Sequence, residues 1–90
     1  MTVQVRATVV DIGVDPLLRD RMRRYLAGVR IDELVDGALP DVAVGELLSL
    51  LVHSPSMTFS DPDPVGSTFL ITLTLPLTDP YTGPVEVAGS

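Results

Sequence analysis

Alternating apolar and polar residues between positions 68 and 77 constrain the fold of this chain more than any other feature of its sequence. The apolar set occupies every second position and consists of Phe69, Ile71, Leu73, Leu75 and Leu77. A period of two residues sends the two sets to opposite faces of a β-strand, so the segment predicts a half-buried strand. Because Pro76 has no N–H to donate, we expect the strand to lie at a sheet edge or to leave the sheet there.

Residues 2–10 show the same alternation and predict a second half-buried strand. Their apolar set is Val3, Val5, Ala7 and Val9, with polar residues between. Two shorter runs complete the predicted strands: residues 56–59, and residues 85–87, which favour either a last edge strand or an extended arm. A strand edge left unpaired near residues 2–10 or 68–77 is an obvious place for another chain to add a strand.

Two longer segments between these strands show helical spacing. Asp15 and Pro16 form a helix start, with apolar residues recurring three and four positions apart until Gly28, a residue that often follows a helix end. A shorter helix is expected between residues 29 and 40. Asp41 is a cap for a further helix through Val52, which is apolar nearly all round and is therefore either central to the domain or buried by another chain.

The sequence therefore predicts an α+β fold in the order β-α-(α)-α-β-β-(β). A small, mostly antiparallel sheet of three to four strands would carry two main helices packed on one face. Residues 1–77 are expected to form a single compact α+β domain, and residues 78–90 an extended C-terminal loop or arm.

Charge is distributed unevenly along the 90 residues, whose formal net charge is -6. All six basic residues are arginines within the first 30 positions, and the charged side chains of the remaining residues are all acidic. The acidic total argues against a nucleic-acid or acidic-membrane ligand held by its phosphates. Such a dipolar chain satisfies its charges either by folding its two parts together or by stacking head to tail on copies of itself.

No residue pattern in the chain predicts catalysis, a cofactor or a metal site. There is no cysteine, and His53 is the only histidine, so one copy can build neither a two-histidine metal site nor a Ser-His-Asp triad with a spare imidazole. The acidic turn around Asp61 and Asp63 lacks the ligand spacing of a calcium loop. Glycines are scattered singly rather than grouped as in a phosphate loop. We expect a protein that is not an enzyme and has no cofactor.

Candidate protein-contact residues come from the arginine cluster at 19–24, the apolar run before Val52 and the polar face of the strand at 68–77. Guanidinium groups suit an acidic protein surface, including one of this chain's own. The contact set is Arg21, Arg23, Arg24, Leu47, Leu50, Leu51, Leu70, Thr72 and Thr74.

These features favour a small structural protein that forms homo-oligomers or docks in a larger complex. The absence of lysine and asparagine is typical of a high-GC bacterium or its phage, so we expect a phage virion component of the tail, connector or capsid accessory class. The alternative is a small acidic regulatory module, an inhibitor or adaptor acting on a host protein. No signal peptide or membrane span is predicted, which indicates cytoplasmic synthesis, with the virion as a further location.

Overall fold

Five antiparallel β-strands form one sheet in a computed structural model that describes residues 1–14, 24–38, 42–53, 58–60 and 63–88. The strands are β1 (Thr2–Val14), β2 (Tyr25–Asp36), β3 (Leu47–Val52), β4 (Thr68–Thr74) and β5 (Val85–Ala88). Their spatial order is β3-β2-β1-β4-β5. Three consecutive strands followed by a fourth that returns beside the first make a Greek key, to which β5 is added.

The predicted α+β class is wrong, because the described residues contain a β-sheet and no helix. The two predicted strands at 2–10 and 68–77 are confirmed as β1 and β4, and the chain leaves the sheet just before Pro76, at the end of β4. Their expected position at a sheet edge is wrong: β1 is the central strand, and β4 lies between β1 and β5. The outermost strands of this order are β3 and β5.

Residues at the end of the first predicted helix belong to β2 instead. In this strand every second residue from Ala27 to Ile31 lies in the core, namely Ala27, Val29 and Ile31. Some of these positions also fit the helical spacing, which is why the sequence predicted a helix. Gly28 is a mid-strand residue rather than a helix terminator, and a β-carbon added there would lie 3.7 Å from the side chains of Val10 and Asp11 of β1. The rest of that predicted helix, residues 15–23, lies outside the described residues.

The short helix expected between residues 29 and 40 is also wrong, because the residues as far as Asp36 belong to β2. A β-bulge in this strand produced the helical spacing. Ala7 pairs with Ile31 and Arg6 pairs with Glu33, so Asp32 is an extra residue in β2. The bulge resets the alternation, which keeps both Asp32 and Glu33 off the core face and returns Leu34 to it. Without the bulge, strict alternation would have turned the Glu33 carboxylate into the core.

The second predicted helix is also wrong, because residues 47–52 form β3. An apolar run of this length is compatible with either a strand or a buried helix, and its periodicity does not distinguish them. Gly45 decides the outcome locally: its φ of 95° places it in the left-handed region, and its N–H donates to the Ile31 carbonyl at 2.6 Å. This turn sets β3 antiparallel to β2.

The core lies on one face of the sheet and receives side chains from β1 to β4. Its strand residues are Val3, Val5, Ala7, Val9, Ala27, Val29, Ile31, Leu48, Leu50, Val52, Phe69, Ile71 and Leu73. Two aromatic rings from the connections, Phe59 and Tyr81, complete it. The Phe59 and Phe69 rings are tilted, with their centroids 5.1 Å apart. Aliphatic residues therefore fill most of the core.

The connection between β4 and β5, which we call the crossing segment (residues 75–84), reaches the opposite side of the sheet. Tyr81 pairs in parallel with Leu50 of β3. Its N–H donates to the Ser49 carbonyl and its carbonyl accepts from the Leu51 N–H, both at 2.8 Å. Because β3 and β4 are separated by two strands, the sheet must curl, and its concave face encloses the core. Residues 78–90, expected to be an arm, thus include a buried tyrosine and β5.

Candidate functional site

A row of hydrogen-bonded side chains crosses three strands on the outer, convex face of the sheet. The Thr8 hydroxyl lies at its centre, 2.5 Å from Asp32 Oδ2 and 2.8 Å from the Thr68 hydroxyl. Arg30 Nε donates to Asp32 Oδ1 at 2.8 Å. The hydrogen bond from Thr8, followed by that from Arg30, lowers the pKa of the Asp32 carboxyl. The row joins β4, β1 and β2 and stabilises the ionised carboxylate.

Two more cross-strand contacts lie on the same face. Arg6 forms an ion pair with Glu33, with Nη1 and Oε2 2.9 Å apart and both side chains exposed. Gln4 Nε2 donates to the Thr72 hydroxyl at 3.3 Å. The arginines of β1 and β2 are thus paired within the chain, which supports intramolecular pairing for these two charges.

No group of three or more potential metal-ligating side chains, and no cavity, is found in the described stretches. His53 is an exposed residue directly after β3. Within the same stretches, no helix has the length and apolar character that crossing a membrane requires.

The contact residues drawn from the sequence do not form one patch where the structure describes them. Arg21 and Arg23 lie outside the described residues, and Arg24 is half-buried just before β2. On β3, Leu47 is 67% exposed, Leu50 is fully buried in the core and Leu51 is half-buried. The three β4 residues are half-buried on an interior strand; they are Leu70, Thr72 and Thr74. Among these residues, Leu47 is the apolar side chain most open to a partner.

The outer edge of β3 is partly covered by the chain itself. Tyr81 occupies the backbone groups of Ser49 and Leu51. The crossing segment has a proline at every fourth position, namely Pro76, Pro80 and Pro84. Proline has no N–H, so these residues cannot donate hydrogen bonds that would extend the pairing with β3. The crossing segment therefore protects this edge without becoming a further strand of the sheet.

The outer edge of β5 is different, because β4 is its only strand neighbour among the described residues. Val85 and Val87 point to the core side of the sheet and pack against the core, yet both are only half-buried. Most core-facing side chains of β1 to β4 are at most 6% exposed, and the exceptions are the half-buried Ile12, Tyr25 and Leu34. Residues 85–87 were predicted to be an edge strand or an arm, and these valines were not among the predicted contact residues. The available signal was the Val-Glu-Val alternation of a final strand.

Comparison of the chain with protein-family models, with curated proteins and with solved structures finds no match in any of the three.

Proposed function

We propose that this protein is a non-enzymatic structural subunit that assembles with copies of itself or with other subunits of a larger complex. The specific assembly that we propose is a phage virion from a high-GC host, in which the chain is a tail, connector or capsid accessory component. The support for the phage source is compositional, namely the use of arginine without lysine and the absence of asparagine.

One observation carries the proposal of assembly: the core is incompletely covered at β5. A strand at the edge of a sheet presents unpaired backbone groups, which are a template for another chain. At β5 the same edge also leaves core-facing valines half-exposed. An added strand or a neighbouring subunit would satisfy both the backbone and the apolar side chains.

Exposed apolar side chains at the start of β3 give this proposal a second contact area. Val44 is 57% exposed in the turn before β3, and Leu47 is 67% exposed at its first residue. Single exposed apolar residues are ordinary on protein surfaces, but two so close in sequence beside an outer strand favour contact with a neighbouring subunit.

The test is the mass of the untagged protein in solution, measured by light scattering over a series of protein and salt concentrations. We expect species larger than 9.6 kDa whose population grows with protein concentration. A monomer under all conditions that instead bound one basic protein, tightly and with strong salt dependence, would replace the proposal with that of an acidic regulatory module.

A further inference from the structure

We propose that β5 pairs in antiparallel orientation with β5 of a second copy of this chain, about a two-fold axis at Val87. This inference rests on the proposed function and specifies the self-contact. It follows from the direction of the backbone groups of β5, from the exposure of its side chains and from the position of its one charge.

The hydrogen bonds between β1 and β4 show which residues of β4 face β5. In an antiparallel pair, residues alternate between those whose N–H and C=O face the partner and those whose groups face away. The Val9 N–H donates to the Ser67 carbonyl at 3.0 Å, and the Leu75 N–H donates to the Met1 carbonyl at 2.9 Å. The backbone N–H and C=O groups of odd-numbered β4 residues therefore point toward β1, and those of even-numbered residues point toward β5.

The register then gives the direction of each residue in β5. Thr72 pairs with Glu86, so Glu86 directs its N–H and C=O toward β4, and Ala88 does the same two residues later. Val85 and Val87 direct theirs away from β4, to the outer edge. These two residues thus have both an outward backbone and a half-buried, core-facing side chain. A single added strand would both hydrogen-bond to these backbone groups and cover the two valine side chains.

Self-pairing is consistent with this geometry. When Val87 lies opposite Val87 of a second copy, two residues with outward backbone groups meet, as a hydrogen-bonded antiparallel pair requires. Both side chains then lie on the core side, so the two sheets continue with their core faces aligned. The β3 edge is a poorer partner for β5, because Tyr81 already occupies it at Ser49 and Leu51.

Glu86 disfavours one register of this pairing. An axis at Glu86 would place two carboxylates directly opposite each other, which is destabilising on a sheet face. Moving the axis by one residue to Val87 places each Glu86 opposite Ala88 of the other copy. The Glu86 charge therefore disfavours an axis at Glu86 and does not disfavour an axis at Val87.

The predicted dimer is weak on its own. Stable interfaces bury about 1,200–2,000 Å² in total, more than two four-residue strands provide. Two copies of a chain with net charge -6 also repel each other, and salt screens this repulsion. Association through β5 should therefore increase with salt, whereas association through arginine and acidic side chains should decrease.

Val87→Cys and Val85→Cys form the matched test, because the natural chain has no cysteine. Both positions share face, exposure and backbone direction. With the axis at Val87, paired α-carbons at position 87 lie about 5.5 Å apart, within disulfide range, whereas those at position 85 are offset by four residues along the strand. We expect Val87→Cys to form a covalent dimer under mild oxidation at least tenfold faster than Val85→Cys. Equal rates, a faster Val85→Cys or no cross-linking would overturn the proposed pairing.

A second pair of variants tests the backbone by sedimentation at high salt. Val87→Pro removes an outward N–H that β4 does not use, and Val87→Ala keeps it. We expect Val87→Pro to abolish the dimer and Val87→Ala to retain it, with both folded by circular dichroism. If Val87→Pro dimerises as well as Val87→Ala, pairing through β5 is wrong while assembly by another surface stands. A wild-type monomer at millimolar concentration would also overturn the pairing, and would leave docking to other subunits as the proposed function.

Discussion

The phenolic oxygen of Tyr81 accepts a hydrogen bond from the backbone N–H of Thr74 at 2.8 Å. It also donates one to the Pro84 carbonyl at 2.6 Å. The ring is 1% exposed, and the backbone of the same residue pairs with β3. One residue therefore ties the end of β4, the start of β5 and the edge of β3 together, and holds the sheet in its curled form.

Tyr81→Phe should lower the free energy of unfolding by about 1–3 kcal/mol, because it leaves the Thr74 N–H and the Pro84 carbonyl without their partner. Chemical denaturation measures the effect. Tyr25→Phe is the control, since Tyr25 is only half-buried at the start of β2 and should change stability by less than about 0.5 kcal/mol. Equal effects of the two substitutions would contradict the role assigned to the Tyr81 hydroxyl.

Gly37→Ala should destabilise the fold more than Gly45→Ala. Both glycines have a positive φ, 88° and 95°, which costs an alanine about 1–2 kcal/mol. A β-carbon at Gly37 would in addition lie 3.0 Å from the Thr2 carbonyl oxygen, whereas one at Gly45 meets open space. The difference between the two unfolding free energies isolates the steric contact with β1. A Gly45→Ala variant that is the less stable of the two would contradict this.

Asp32→Asn should flatten the loss of stability in acid. The pKa of Asp32 is lowered in the folded protein, chiefly by the Thr8 hydroxyl, so the unfolded chain takes up this proton first as pH falls. The stabilisation is therefore present above the unfolded pKa of about 3.9 and is lost as pH falls through the folded pKa.

Denaturation at pH values between about 6 and 2 measures this dependence. Thr8→Val should weaken the dependence, because it removes the largest cause of the shift. Thr72→Val is the matched control, since its hydroxyl contacts Gln4 rather than a carboxylate. An unchanged acid profile in Asp32→Asn would show that the row across the outer face does not stabilise the carboxylate.

Leu50→Ala should cost about 2–5 kcal/mol of unfolding free energy, because Leu50 is fully buried in the core. Leu47→Ala should cost less than about 0.5 kcal/mol, since Leu47 is 67% exposed. The two leucines are three residues apart, which would place them on the same face of a helix but places them on opposite faces of a strand. Similar losses at both positions would contradict the assignment of β3.

The sequence was most informative where a strand has one apolar and one polar face. β4, and β1 as far as Val9, carry an uninterrupted alternation on their core faces, and both strands were predicted. β2 was missed because the bulge at Asp32 places the core-facing residues Ile31 and Leu34 three positions apart, a spacing that a helix also produces. β3 was missed because leucines lie on both of its faces, so its period carries no information about its structure.

The candidate site depended still more on contacts between distant residues. The Val-Glu-Val run indicated a final strand. The run alone did not predict which strand would pair with it or that its valine side chains would be incompletely buried. Leu50 illustrates the opposite error: it was selected for contact with a partner, and it lies in the core because β3 turns its even-numbered residues inward.

The sequence alone determined the local alternation of β1 and β4, the aliphatic core, the acidic charge and the lack of a thiol, because each is a property of composition or of nearby residues. Only the tertiary structure decided which strands are outermost. Strand order depends on pairings between residues far apart, such as Thr8 with Thr68 and Leu50 with Tyr81. Their free energy comes from backbone hydrogen bonds and shared burial, which no local pattern encodes.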